Sequence, residues 1–408
     1  MKSFYKLSNA IQNYAWGSTD GISSLTGIEN PDMVPMAELW MGTHYSAPSK
    51  VMQSSPEDQE TLQDIVQSDL RRVNQSGTGD RQGLPYLFKL ISVASPLSLQ
   101  VHPTVEQAII GYARENAAGI TLDAPNRNYK DQNHKPEILA ALTPFTALCG
   151  FRTVTETVEN FRRLGIAGLS GIVGKLEETG DYRAFIKALL CMVHNDSRNI
   201  CRALGKILSE DNGPIDAANG SFRRAKDTAK GIFGKYPDDL GSLAPFYLNV
   251  VILNPGEAIF LSPGIMHAYL EGTGFELMAN SDNVLRGGLT PKYIDIPELL
   301  TVMDSRPYNP RIITPVDKDG ILCYPTPVRE FRLCRGKTTG NSALLPSSAP
   351  TILMCVYGTV TLSSIGGESL ALTQGEVCYL RPQVSPITIS GSGEFWCATI
   401  PFDAGAAI

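Results

Sequence analysis

The sequence predicts a mainly β protein with an α insert: two β-barrel domains and a small helical module between β segments. Three observations lead there. The chain has 37 Gly and 27 Pro, which implies many turns. Apolar residues form strand-like runs in the first 150 residues and again from Pro245, but take helical spacing over 151–236. Finally, Gly256, Glu257, Leu261 and Pro263 recur 119 positions later as Gly375, Glu376, Leu380 and Pro382. Both copies read Gly-Glu-apolar-apolar-aromatic-Leu-x-Pro.

The elements follow in order. Leu84–Val93 and Pro96–Val101 are strand-like, and Leu62, Ile65, Val66 and Leu70 predict a helix over Thr61–Leu70. Thr153 with Glu156 forms a capping-box pattern ahead of Val154, Val158, Phe161 and Leu164. Asp181 is the N-cap of a stripe formed by Tyr182, Phe185, Ile186, Leu189, Leu190 and Val193, and Ile200, Leu204, Ile207 and Leu208 make a third. This helical segment is basic, whereas the rest of the chain is acidic. The strand pattern returns in FYLNVVILNPGEAIFLSPG, the Pro-rich Ser305–Pro315 reads as a linker, and short strands with Gly, Ser and Pro turns fill the last ninety residues. The expected domains are 1–150 with 237–305 as the metal-binding barrel, 151–236 as the helical insert, and 306–408 as a second barrel. The second barrel is expected to lack a metal site, because Pro386 stands at the offset of His267 and no histidine follows 267.

At 408 residues the chain suits two or three domains with a large core. A net charge of −6 argues against nucleic acid and against an anionic membrane surface. The opening MKSFYKLSNAIQNYAWGS has no signal-peptide run, and no stretch is long and apolar enough to span a bilayer. Eight cysteines at 149, 191, 201, 323, 334, 355, 378 and 397 include no CxxC pair. They read as small apolar residues in a reducing cytoplasm, not as a disulfide framework.

The chemistry concentrates in PLSLQVHP (96–103), NHKPE (133–137) and PGIMHAY (263–269). Gln100 and His102 are two apart in an alternating run, so both face one space. With Glu137 and His267 they make two nitrogens and two oxygens, a set that suits zinc with a position left for water or substrate. The chain has only five histidines, which sharpens the reading. His44, His134 and His194 are not assigned as ligands.

These segments, with QNYAWGS (12–18), MAELWMGTH (36–44), ENAAGI (115–120), RNYKDQNHKPE (127–137), YPDD (236–239) and ANSDNVLRGGLTPKYIDIPEL (279–299), resemble the type I mannose-6-phosphate isomerases. That family comprises zinc-dependent aldose–ketose isomerases, and the resemblance is to its enterobacterial branch. It implies two jelly-roll barrels of the cupin kind with a helical insert, and one zinc ion per chain held by Gln100, His102, Glu137 and His267. It also implies interconversion of mannose 6-phosphate and fructose 6-phosphate through a cis-enediol, in mannose catabolism or GDP-mannose supply. The family's catalytic arginine falls on Arg286, and the phosphate contacts on Ser98 and Lys292.

Several roles stay open between candidates. Lys135, expected to point away from Glu137, is a candidate for proton relay or for contact with a sugar oxygen. Glu276 is a candidate base and Asp282 its rival. Lys89, in the strand FKLI, is costly to bury unpaired, so it meets either substrate or an acidic neighbour. Trp16 and Tyr269 are candidate pocket walls. Two other functions compete: a cupin oxygenase with iron on two histidines and a carboxylate, and a non-catalytic sugar-binding barrel. The pair Arg286 and Lys292 favours a phosphosugar. The expected partner is a phosphorylated hexose, with no nucleic acid or membrane, and the expected form is a cytoplasmic monomer.

Overall fold

The computed structural model describes residues 2–52, 60–73, 83–210, 220–345, 348–382 and 385–401. Its strands form two antiparallel sheets of eleven and ten strands. The first runs in the order Ile312–Ile313, Ala258–Leu261, Glu137–Ala141, His267–Ala279, Tyr86–Val93, Glu38–Gly42, Ala10–Gln12. The long strand His267–Ala279 is its spine. Residues 267–271 pair with Phe145–Phe151, and 272–279 pair with Tyr86–Val93. His267 also pairs with Gln100 of Leu99–Val101, and Gln100 pairs in turn with Arg286 of Leu285–Gly288.

Alternation along these strands divides two environments. Phe88, Leu90, Phe275 and Leu277 face an apolar cluster that includes Ile352, Met354, Val377, Tyr379, Trp396 and Ala398 of the second sheet. The rings of Phe275 and Trp396 lie 5.1 Å apart. The intervening Lys89 and Glu276 are directly paired across the ladder and lie on the opposite face. A third cluster, including Ile91, Leu139, Cys149 and Tyr269, fills the interior on that side.

The helical segment forms largely as its stripes imply, except that the helix begun at Tyr182 ends at Leu190, and Val193, expected in its stripe, is exposed ahead of the next helix. Thr153 and Glu156 make both bonds of a capping box on Val154–Leu164, and the Asp181 carboxylate caps Tyr182–Leu190. Ile200, Leu204 and Leu208 of His194–Ser209 are buried with Phe161, Phe185 and Phe246, and this core reaches Leu99, Val101 and Leu285 beside the site strands. The helix expected over Thr61–Leu70 spans Leu62–Val73. Among the described residues, no helix is long and apolar enough to cross a membrane.

The repeated motif corresponds to repeated local structure. Ala258–Leu261 and Val377–Leu380 stand at the same 119-residue offset. The N–H groups of Glu257 and Glu376 donate to the carbonyls of Asn254 and Thr373. The two carboxylates accept in return from the N–H groups of those residues, at 2.8 and 2.9 Å.

Three local expectations need revision. Cys323 and Cys334 stand directly opposite on adjacent antiparallel strands and form a disulfide, so the reading of all eight cysteines as free thiols fails there. Of the six free cysteines five are buried, in keeping with an apolar role. Phe4–Ser8, expected in the first barrel, pairs with Val377–Leu380 of the second sheet. The Pro-rich stretch is not a free linker: Ile312–Ile313 pairs with Ala258–Ile259, and the Tyr308 N–H donates to the Phe151 carbonyl at 2.8 Å.

The two Gly-Glu turns differ in one respect. Gly256 and Gly375 have φ of 88° and 84°, a region costly for any residue with a Cβ. A Cβ on Gly256 would meet the movable Arg335 guanidinium at 3.0 Å, whereas one on Gly375 would lie 2.1 Å from the backbone oxygen of Thr26. Gly256→Ala is therefore expected to cost roughly 1–2 kcal/mol and Gly375→Ala roughly 2–5 kcal/mol in urea unfolding. Equal costs would contradict the packing difference.

Candidate active site and metal centre

Three strand ends bring the site together. Glu137 and His267 are each the first residue of a strand, and His102 directly follows Leu99–Val101. Potential ligand atoms of the three all lie within 4.8 Å of one another, and all three residues are buried. The His102 Nδ1–H donates to the Asn283 carbonyl at 2.8 Å, and the His267 Nδ1–H donates to the Ile265 carbonyl at 2.9 Å. Those bonds fix both tautomers and turn both Nε2 lone pairs toward Glu137. Glu137 Oε1 lies 3.3 Å from His102 Nε2, and Oε2 lies 3.5 Å from His267 Nε2. Neither Nε2 has a hydrogen-bond partner, while Glu137 Oε1 faces the Lys135 ammonium at 3.1 Å. Buried polar atoms without partners are costly. Two imidazole Nε2 atoms turned toward one carboxylate fit a divalent metal of the zinc type.

Electrostatics support that state. Burial, and then the Lys135 ammonium, lower the His102 pKa to about 4, which leaves the imidazole neutral. Burial alone would raise the Glu137 carboxyl, but its charged neighbours, the Lys135 ammonium foremost, hold it well below the usual range. Lys135 lies 3.1 Å from Glu137 Oε1. This corrects the expectation that Lys135 points away: in an extended segment, residues 135 and 137 share a side.

Gln100 pairs with His267 on one side and Arg286 on the other, so the backbone register puts the three on one face of the ladder. Ser98 shares the parity of Gln100 and is half-buried. Arg286 is half-buried and Lys292 exposed, and neither side chain has an acidic partner among the described residues. Burial lowers the Arg286 pKa, and burial followed by Arg286 itself lowers that of Lys292. Two cations left to repel each other suit a bound dianion.

Lys89 is buried and bonded to Glu276 at 2.8 Å, with Glu38 at 3.6 Å. Burial disfavours its charge, but Glu276 and then Glu38 outweigh that and raise its pKa. Burial raises Glu276, against the pull of Lys89. The acidic neighbour of Lys89 is thus identified. Tyr269 is buried, and its hydroxyl donates to Glu137 Oε2 at 3.3 Å. Trp16 packs against the same interior cluster as Tyr269. Asp282 sits apart from the metal set and is bonded to His44 and Tyr45.

Sequence reasoning missed Glu38, whose Oε2 accepts from the Trp40 Nε1–H at 2.6 Å, and the Asn283 carbonyl. A glutamate in the strand ELWMG was the available signal for the first. A backbone carbonyl leaves none. The three histidines set aside have other roles: His44 meets Asp282, His134 meets Glu330 at 2.8 Å, and His194 is exposed at a helix start.

The profile of the phosphomannose isomerase type I catalytic domain matches residues 4–154. Mannose-6-phosphate isomerase of Escherichia coli strain K12 is 41% identical over 391 residues, which cover 95% of this chain and 97% of that protein. The Salmonella typhimurium enzyme is 38% identical with the same coverage. The crystal structure of the Salmonella typhimurium isomerase with fructose 6-phosphate and zinc superposes with a TM-score of 0.87 at 36% identity, over 98% of this chain and 100% of that one. With those strand ends and that coverage of full-length relatives, the chain belongs to the type I phosphomannose isomerase family.

Proposed function

We propose that the protein is a zinc-dependent isomerase that interconverts mannose 6-phosphate and fructose 6-phosphate, acting as a cytoplasmic monomer in mannose metabolism. The observation that carries this reading is the buried trio His102, His267 and Glu137, with both imidazole Nε2 atoms unpartnered and turned toward the carboxylate. It is joined by two cations with no acidic partner among the described residues, in a chain 41% identical to an isomerase of that name. The two sheets are read as jelly-roll barrels of the cupin kind, the second without a metal site.

His102 Nε2, His267 Nε2 and the Glu137 carboxylate would hold zinc, with the Gln100 side chain as a fourth ligand. Zinc there supplies positive charge that polarises the sugar's C1–C2 oxygens. The remaining work falls to the chain. Arg286, Lys292 and Ser98 bind the phosphate end, so the sugar lies across the ladder from Arg286 past Gln100 to His267. Isomerisation removes the C2 proton and returns one to C1, while a second proton leaves O2 and one is gained at O1. Glu276, with its raised carboxyl and its fixed contact to Lys89, is assigned the carbon-bound proton. Lys135 is assigned the transfer between oxygens. Asp282 is held at a pKa of about 2, a poor match to a base working near neutrality. Lys89 orients Glu276, while Trp16 and Tyr269 wall the interior and exclude water. A bound dianion facing Arg286 and Lys292 also separates this reading from an iron oxygenase, which has no use for the cations.

The direct test is turnover of mannose 6-phosphate as isolated, after chelation, and after zinc is restored. Activity lost with chelator and regained with zinc is the expected result. No turnover by folded, zinc-loaded protein refutes the proposal. Lys292→Ala is expected to raise KM for mannose 6-phosphate about tenfold or more, with a smaller change in kcat. Glu276→Gln, retaining shape but not the base, is expected to lower kcat by about 10²–10⁴ with zinc still bound.

A further inference from the structure

The Asp282 carboxylate is held at both oxygens by two successive residues from a distant part of the chain. The His44 Nε2–H donates to Oδ1 at 3.2 Å, and the Tyr45 hydroxyl donates to Oδ2 at 2.9 Å. A carboxylate only accepts, so Nε2 carries the proton of this bond, while Nδ1 meets the Ser46 Oγ at 2.9 Å and the Ser46 N–H at 3.4 Å. His44 is buried between Trp40, edge-on at 4.7 Å, and Tyr45, stacked at 4.6 Å. Behind Asp282, its own N–H donates to Asp131 Oδ2 at 2.8 Å.

The clamp is joined to the metal set through the chain itself, by the neighbouring Asn283. The Asp282 side chain keeps 31% of its exposure, and the charge of Lys135 acts on it. Tyr14, on the N-terminal segment, feels Glu38, Lys89 and Asp282 together. The next residue, Asn283, supplies the carbonyl that fixes His102. Tyr45, although 79% exposed, spends its one side-chain polar group on Asp282.

We infer that His44 and Tyr45 are positioning residues for the isomerisation: they fix the orientation of the Asp282 carboxylate as a permanent acceptor for a sugar hydroxyl. Burial alone would raise its pKa; the His44 and Tyr45 hydrogen bonds hold it at about 2 instead. A carboxylate gripped in this way does not rotate to follow the substrate. It selects the substrate orientation that presents a hydroxyl to it. The inference rests on the isomerase reading above.

The test is a double-mutant cycle in kcat/KM for mannose 6-phosphate with zinc-loaded protein: Tyr45→Phe, Asp282→Asn and the pair. Thermal unfolding and zinc content are read on each variant. Tyr45→Phe removes one exposed hydroxyl, so folding is expected to be intact. Its kcat/KM is expected to fall about tenfold in the native background and less than twofold in Asp282→Asn. His44→Leu should show the same dependence, and His44→Gln, which restores an N–H donor, should recover most of the loss. A native kcat/KM in Tyr45→Phe overturns the inference, as does the same loss with and without the Asp282 carboxylate. In both cases the isomerase reading stands. Absence of turnover in the native protein overturns the isomerase reading and the inference together.

Discussion

Three buried ligand groups gathered at one point are the constraint around which the rest of the structure is arranged. His102 Nε2 and His267 Nε2, which have no hydrogen-bond partner, would each be costly to bury in a protein with no use for them. The three groups are kept in place by bonds on their far sides: two backbone carbonyls fix the imidazoles, and the Tyr269 hydroxyl holds a Glu137 carboxylate oxygen. Each residue sits at a strand end, where the chain leaves the ladder. The site is therefore set by where three strands start or stop, and its precision is that of the sheet. A ring of loops would not hold two imidazoles 5.0 Å apart with both tautomers fixed.

The same strands explain why a second sheet is present. In Tyr86–Val93 and His267–Ala279, alternate residues go to opposite faces, Lys89 and Glu276 to the site and Phe88, Leu90, Phe275 and Leu277 to the sheet-to-sheet core. A slip of one residue would bury the charges in that core and expose the aromatics to the site. The apolar partner, with Trp396 and Met354 among its residues, pins the register. By this route it holds the Lys89–Glu276 pair in place without contributing a ligand. The second sheet's other core gathers around Leu353, Cys355 and Phe395.

Much of this was legible because strand periodicity is a strong signal. The shared face of Gln100 with the site, the Thr153–Glu156 capping box, the Asp181 cap and the 119-residue repeat all depend on local spacing, and local spacing is visible in one sequence. What was not legible depends on pairs far apart in the chain. Asp282 meets His44 across 238 residues, and no local pattern announces it. Phe4–Ser8 joins the sheet formed by the end of the chain for the same reason. The Lys135–Glu137 contact is different. Alternation predicts it, but the intervening Pro136 marked the segment as an irregular loop. The Cys323–Cys334 disulfide was missed because two cysteines eleven apart carry no register; only the strand pairing places them opposite.

The measurement closest to the central claim is a zinc-edge anomalous diffraction map of zinc-loaded crystals. The account predicts one ion per chain, bonded to His102 Nε2, His267 Nε2, a Glu137 oxygen and the Gln100 side chain, with both Nδ1 bonds to the backbone carbonyls intact. Zinc bound elsewhere, or at this place through a different nitrogen of either histidine, would contradict it.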